Sequence, residues 1–205
     1  MAIDERGLRV GAPRGLSNAD IEGFLREHAE WVIRKLDAFA GRRSQRLLAV
    51  RDGVHLPVFG EPVPVRVRPG GNRAIWEDAE LILFARPDAD LDALARRALQ
   101  KRAAGHFAER ARMFAGRLGH PLPPVALSSA RSRWGSCSRR TGLRFNWRLI
   151  HLPADLVDYV VAHEVAHLAE MNHSPRFWSQ VERLFPEWRR ARAELRRLGA
   201  DIPLI

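Results

Sequence analysis

The chain of 205 residues contains one cysteine, Cys137, so no internal disulfide can form and no cysteine-rich zinc ribbon can be built. Any metal ion must rest on histidine and carboxylate. Long apolar runs are missing too. Nothing approaches the roughly 18 consecutive apolar residues that span a bilayer, and residues 1–6 lack the apolar segment of a signal peptide. A cytoplasmic protein without a membrane partner is expected. Lysine is nearly absent, being confined to Lys35 and Lys101, so the formal charge of +10 is almost wholly arginine spread along the chain. Without a basic block or a recognition motif, that charge predicts nonspecific attraction to polyanions, and nucleic acid or a nucleotide is only a weakly supported partner. There is no internal repeat or low-complexity tract. The 46% hydrophobic and 28% charged residues place the chain among folded proteins rather than disordered ones.

Ser17 offers an N-cap to Ile21, Phe24, Leu25, Ala29, Val32, Ile33 and Leu36, whose spacing predicts an amphipathic helix over 18–40. A short extended piece at 8–12 precedes it. Three β-rich runs, 54–59, 63–67 and 79–84, are separated by Gly-Glu-Pro and Pro-Gly-Gly-Asn turns and predict a small antiparallel sheet. Apolar residues at helical spacing from Leu91 to Phe114 predict a long helix over 90–118, stopped by Gly119 and Pro121. Short strands follow at 125–127, 131–138 and 143–150, the last two joined by Arg139-Arg140-Thr141-Gly142 as a hairpin. The next helix runs from Pro153 to about Met171, and Ser174-Pro175 and Pro186 open two more. The expected division is an N-terminal helix and β-rich portion, 1–88, and a metal-binding portion, 89–205, in one compact unit.

The densest polar chemistry is His163-Glu164-Val165-Ala166-His167, an H-E-x-x-H pattern whose flanks are independently helical. Residues four apart on a helix are offset by about 40°, so both imidazoles leave one face and can reach one tetrahedral ion. Glu164 then sits beside the ion, where a carboxylate can take a proton from an activated water. A third ligand is required. His173 lies six residues after His167, and on an unbroken helix it would stand about 9 Å further along the axis, out of reach. The chain must therefore turn, and Asn172 followed by the new start at Ser174-Pro175 suits a reversal. Glu182 on the following helix is the alternative third donor.

These residues, together with Arg133-Trp134-Gly135-Ser136-Cys137, Phe145-Asn146-Trp147-Arg148-Leu149-Ile150, Asp158-Tyr159-Val160-Val161-Ala162 ahead of the motif, and Asn172-His173-Ser174 before Phe177-Trp178, resemble the YgjP-like metallopeptidase family, itself related to SprT-like and other zincin peptidases. The resemblance is strong over 90–198 and looser around Ala12-Pro13 and Trp31. It implies one zinc ion on His163, His167 and His173 with Glu164 catalytic. The histidine spacing is also that of metzincins, but Glu170 stands where those enzymes have a glycine, and no Met-turn is evident.

The fold expected is α+β and zincin-like: a small mixed sheet packed on the active-site helix, its edge strand from the 131–150 hairpin bordering the cleft, with an additional N-terminal helix and β-hairpins. The function expected is zinc-dependent hydrolysis of peptide bonds in a peptide or protein substrate, with Glu164 as general base. Two alternatives keep the site: hydrolysis of a nucleotide or phosphodiester, and a non-catalytic module braced by metal. Tyr159, one turn before His163, can donate to an oxyanion or pack in the core. Arg131 and Arg133 can bind a substrate carboxylate or phosphate, or stand as a surface pair. Glu170 and Asp158 can orient an imidazole or remain solvated. Cys137 reads as a small buried strand residue. Trp134, Trp147 and Trp178 read as core around the site, and His28, His55, His106, His120 and His151 have no motif context.

Overall fold

The computed structural model describes residues 1–4, 7–13, 15–130 and 132–205, without the side chains of 2–4, 7, 38–40 and 42–45. The chain divides into two compact units, Met1–Leu48 with Leu204, and Ala49–Pro203 with Ile205.

In the first unit, strands β1 (Ala2–Asp4) and β2 (Gly7–Arg9) pair antiparallel, and helices α1 (Asn18–Glu27) and α2 (Ala29–Arg46) follow. Ser17 caps α1 reciprocally with Asp20: the Ser17 hydroxyl accepts from the Asp20 amide at 3.2 Å, and the Ser17 amide donates to the Asp20 carboxylate at 3.1 Å. The single helix predicted over 18–40 is divided at His28, the C-cap of α1, whose Nδ1 donates to the Phe24 carbonyl at 2.9 Å, and α2 runs on to Arg46.

The second unit opens with β3 (His55–Val58), β4 (Glu61–Pro69), β5 (Arg73–Glu77) and β6 (Glu80–Ala85), ordered β3-β4-β6-β5. This sheet is mixed, not wholly antiparallel, because β4 and β6 run parallel. Strand β5, missed in the sequence, pairs with β6 through a two-residue turn in which Asp78 and Ala79 have φ of 43° and 69°. Positive φ at both central residues is the hairpin-favouring geometry normally signalled by Asn-Gly, and Asp-Ala carries no such signal. With β5 on one side of β6, the other side is left for β4.

Helix α3 (Leu91–Leu118) matches its predicted span, from Asp90, which accepts from the Ala93 amide at 2.9 Å, to Gly119 in the left-handed region at φ 74°. A second sheet, ordered β7-β9-β8, consists of β7 (Val125–Ser128), β8 (Gly135–Ser138) and β9 (Gly142–Asn146); β8 and β9 form the predicted hairpin and β8 is an edge strand. A 3-10 turn, Trp147–His151, leads into α4 (Ala154–Ala166), then α5 (Pro175–Leu184) and α6 (Trp188–Leu198). Helix α4 packs against α3, α5, α6 and β8, and its residues are buried nearly all round. An all-round buried helix is a central element of its unit. Among the described residues no helix is long and apolar enough to cross a membrane.

His151 ties the 3-10 turn to β3, its Nδ1 donating to the Pro57 carbonyl at 2.8 Å. Burial pushes its pKa from 6.5 down to about 4, the Pro57 bond opposing. The folded form therefore holds His151 neutral while the unfolded chain protonates it, so its contribution to stability is complete above pH 6.5 and is lost as pH falls from 6.5 to 4. Over that window the wild type should lose up to about 3 kcal/mol more than a His151→Asn variant, read by urea denaturation at each pH.

Candidate metal centre

Helix α4 does not reach Met171 as predicted but stops at Ala166. Its end is drawn in by the amides of Leu168 and Ala169, which donate to the carbonyls three residues back at 2.9 and 3.1 Å. His167 lies at that end, and its Nδ1 donates to the Glu170 carbonyl at 3.0 Å. Beyond it, the Asn172 side chain accepts from the Ser174 amide at 3.0 Å, and the Ser174 hydroxyl caps α5 by accepting from the Phe177 amide at 3.3 Å. The reversal carries His173 back over α4.

The three imidazoles meet as a result. Ring nitrogens of His163, His167 and His173 lie within 4.8 Å of one another, and the Nε2 atoms of His163 and His173 are 3.2 Å apart. Two ligands on a tetrahedral zinc ion at Zn–N of about 2.0–2.1 Å are separated by about 3.3 Å, so the separation of this pair fits the ion. The Glu170 carbonyl sets the His167 tautomer, leaving the Nε2 lone pair of that ring free. Burial pushes His163 down to about 3, with the charges of His167 and His173 adding to it, and lowers His167 as well. Both rings are thus neutral at pH 7, the form that donates to a metal. Phe177 forms the bed of the cluster, stacked on His167 at 4.4 Å and meeting His163 and His173 edge-on at 4.9 and 4.7 Å.

Glu164 is buried, 7% exposed, and presses against the edge strand β8. A Cβ at Gly135 would stand 2.6 Å from its Oε1, so only glycine leaves room for the carboxylate. Burial raises the Glu164 carboxyl to about 7, the Arg133 guanidinium pulling the other way. Gly135 had no assigned role in the sequence, although a glycine inside a strand signals close approach of another group.

Tyr159, the chain's one tyrosine, is buried with its ring 6.1 Å from His163 and 6.2 Å from Phe185. Burial raises its pKa, so the phenol keeps its proton at neutral pH. Asp158 takes a two-point ion pair from Arg110 of α3, joining α3 to α4. Glu170 reaches His167 with its backbone carbonyl. Arg133 is exposed, and Arg131 lies outside the described residues. Glu182, the alternative third donor, is paired with Arg189 at 2.8 Å and is not in the histidine cluster. Half-buried Cys137 sits on β8, its thiol pushed up by burial. Trp178 stands 5.7 Å from His163 and 5.9 Å from His173, Trp134 packs against Gly199, and buried Trp147 meets His151 instead of the site.

Among solved structures, the chain is similar to the metallopeptidase zymogen of Pyrococcus abyssi abylysin, at 21% identity and a TM-score of 0.42 over 48% of this chain and 99% of that one. It is also similar to the metallopeptidase zymogen of Methanocaldococcus jannaschii jannalysin, at 16% identity and a TM-score of 0.40 over 44% of this chain and 94% of that one. No curated protein matches. The model of the YgjP-like metallopeptidase domain matches residues 1–198, nearly the whole chain, and the protein therefore belongs to the YgjP-like metallopeptidase family, whose chemistry is metal-dependent hydrolysis of peptides.

Proposed function

We propose that the protein is a zinc metallopeptidase in which His163, His167 and His173 hold one zinc ion and Glu164 is the general base. The observation that carries this reading is the convergence of three imidazoles beside a carboxylate wedged against Gly135. A set of three histidines with no fourth protein donor among the described residues suits a catalytic ion, which keeps one position open, better than a structural one. Bound there, zinc supplies Lewis acidity toward the scissile carbonyl and makes a nearby water more acidic.

The protein's own groups do the rest. Glu164, with its carboxyl near 7, is matched to accept a proton from the attacking water and to return it to the departing amine at neutral pH. Tyr159, which keeps its phenolic proton, donates to the oxygen on which negative charge develops. The edge strand β8 presents an extended substrate segment to Glu164, and Arg133 keeps that carboxylate from rising further. The Glu170 carbonyl fixes His167, and the Arg110–Asp158 pair fixes α4 against α3.

Purified with zinc, the wild type should cleave peptides and leave nucleoside triphosphates intact when both are assayed side by side. Glu164→Gln should retain one zinc per chain by atomic absorption while kcat falls about 10²–10⁴-fold. His173→Ala should lose the zinc itself; retention of a full equivalent would remove His173 from the ligand set. Gly135→Ala should keep both zinc and fold while activity drops on the order of 10²-fold, because Glu164 is displaced by about an ångström. Tyr159→Phe should lower kcat by about 10–10²-fold with KM little changed, the pattern of a contact made only in the transition state.

A further inference from the structure

Helix α6 carries five arginines, and they divide into two groups by partner. Arg189 is held by Glu182 at 2.8 Å, Arg190 by Asp155 at 3.0 Å and Glu194 at 3.5 Å, and Arg197 by Glu194 at 3.6 Å. Among the described residues, Arg192 and Arg196 have no acidic partner. They are four apart and so share one face of the helix.

That face is turned to the metal centre. The Arg192 guanidinium lies 5.1 Å from the centre of the Trp178 ring, and Trp178 in turn is 5.7 Å from His163 and 5.9 Å from His173. One aromatic ring therefore separates the cation from the imidazoles. Trp178 is itself stacked on Trp188 at 4.3 Å, which gives the guanidinium a rigid platform. The charges of Arg192 and Arg196 are both felt at Tyr159, and that of Arg192 at His163. Both arginines are exposed. A guanidinium placed over an indole face without an acidic partner has donors available and suits two-point binding of a carboxylate.

We propose that Arg192, seconded by Arg196, forms a carboxylate-binding subsite beside the metal centre that selects peptides bearing an acidic side chain or a free C-terminus close to the scissile bond. An extended chain advances about 3.3–3.6 Å per residue, so a carboxylate one or two residues from the reacting carbonyl reaches this face. The inference rests on the peptidase reading for its substrate class, and its test is kept separate from turnover.

Zinc-loaded Glu164→Gln protein is titrated by calorimetry with one peptide series carrying Glu, Gln or Lys near the cleavage point, each with a free or an amidated C-terminus. The Glu164→Gln background should bind the carboxylate-bearing peptides about tenfold more tightly than their neutral counterparts, with the preference falling as salt rises. Preference that follows the side chain or the terminus says which carboxylate the subsite takes. Adding Arg192→Met, which keeps an apolar contact with Trp178, should bring the ratio to about one, and Arg192→Glu should favour the Lys peptides. A ratio unmoved by Arg192→Met, one that collapses only with Arg133→Met, or absence of binding by every peptide overturns the proposal. Selective binding without cleavage by the wild type defeats the peptidase reading and leaves the subsite standing.

Discussion

A single helix cannot bring three imidazoles to one point when the third lies six residues beyond the second. The site therefore depends on where α4 ends. Short-range amide bonds from Leu168 and Ala169 stop it at Ala166, the Glu170 carbonyl takes the Nδ1 proton of His167, and Asn172 and Ser174 shape the turn that starts α5. One group of hydrogen bonds ends the helix, sets a tautomer and brings His173 back. Were the helix to run on to Met171, His163 and His167 would still share a face, but the third donor would be lost.

Burial then prepares the chemistry. Helix α4 sits among α3, α5, α6 and β8, so groups on it are largely shielded from water. Desolvation acts oppositely on its two kinds of titrating group: it keeps His163 and His167 neutral and raises Glu164 toward neutrality. Bases ready to donate and a carboxylate poised to exchange a proton thus arise from the same environment. Two facing elements hold the helix: α3 through the Arg110–Asp158 pair, and β8 through the close fit of Gly135 on Glu164.

Charge on α6 is organised by the same packing. Arginines turned toward Glu182, Asp155 and Glu194 are neutralised, whereas the face beside Trp178 keeps its cations open. Once folded, the helix carries surface ion pairs on one side and a positive face near the histidine cluster on the other.

Local rules made much of the molecule legible in the sequence. Capping chemistry at Ser17, Asp90 and Ser174, the left-handed stop at Gly119, the β8–β9 hairpin and the shared face of His163 and His167 all depend on residues near one another in the chain. Features without a side-chain signal in the sequence were not legible. Strand β5 was hidden behind a turn without its usual residues, the parallel pairing of β4 with β6 followed from that strand's position, and the early end of α4 was set by the backbone amides of Leu168 and Ala169 rather than by a side-chain signal. The residues alone determined which groups could hold a metal and move a proton. Only the tertiary structure decided that Gly135 abuts Glu164, that Asp158 faces Arg110, and that Arg192 rests on Trp178, because spacing along a chain specifies a helical face but not what packs against it.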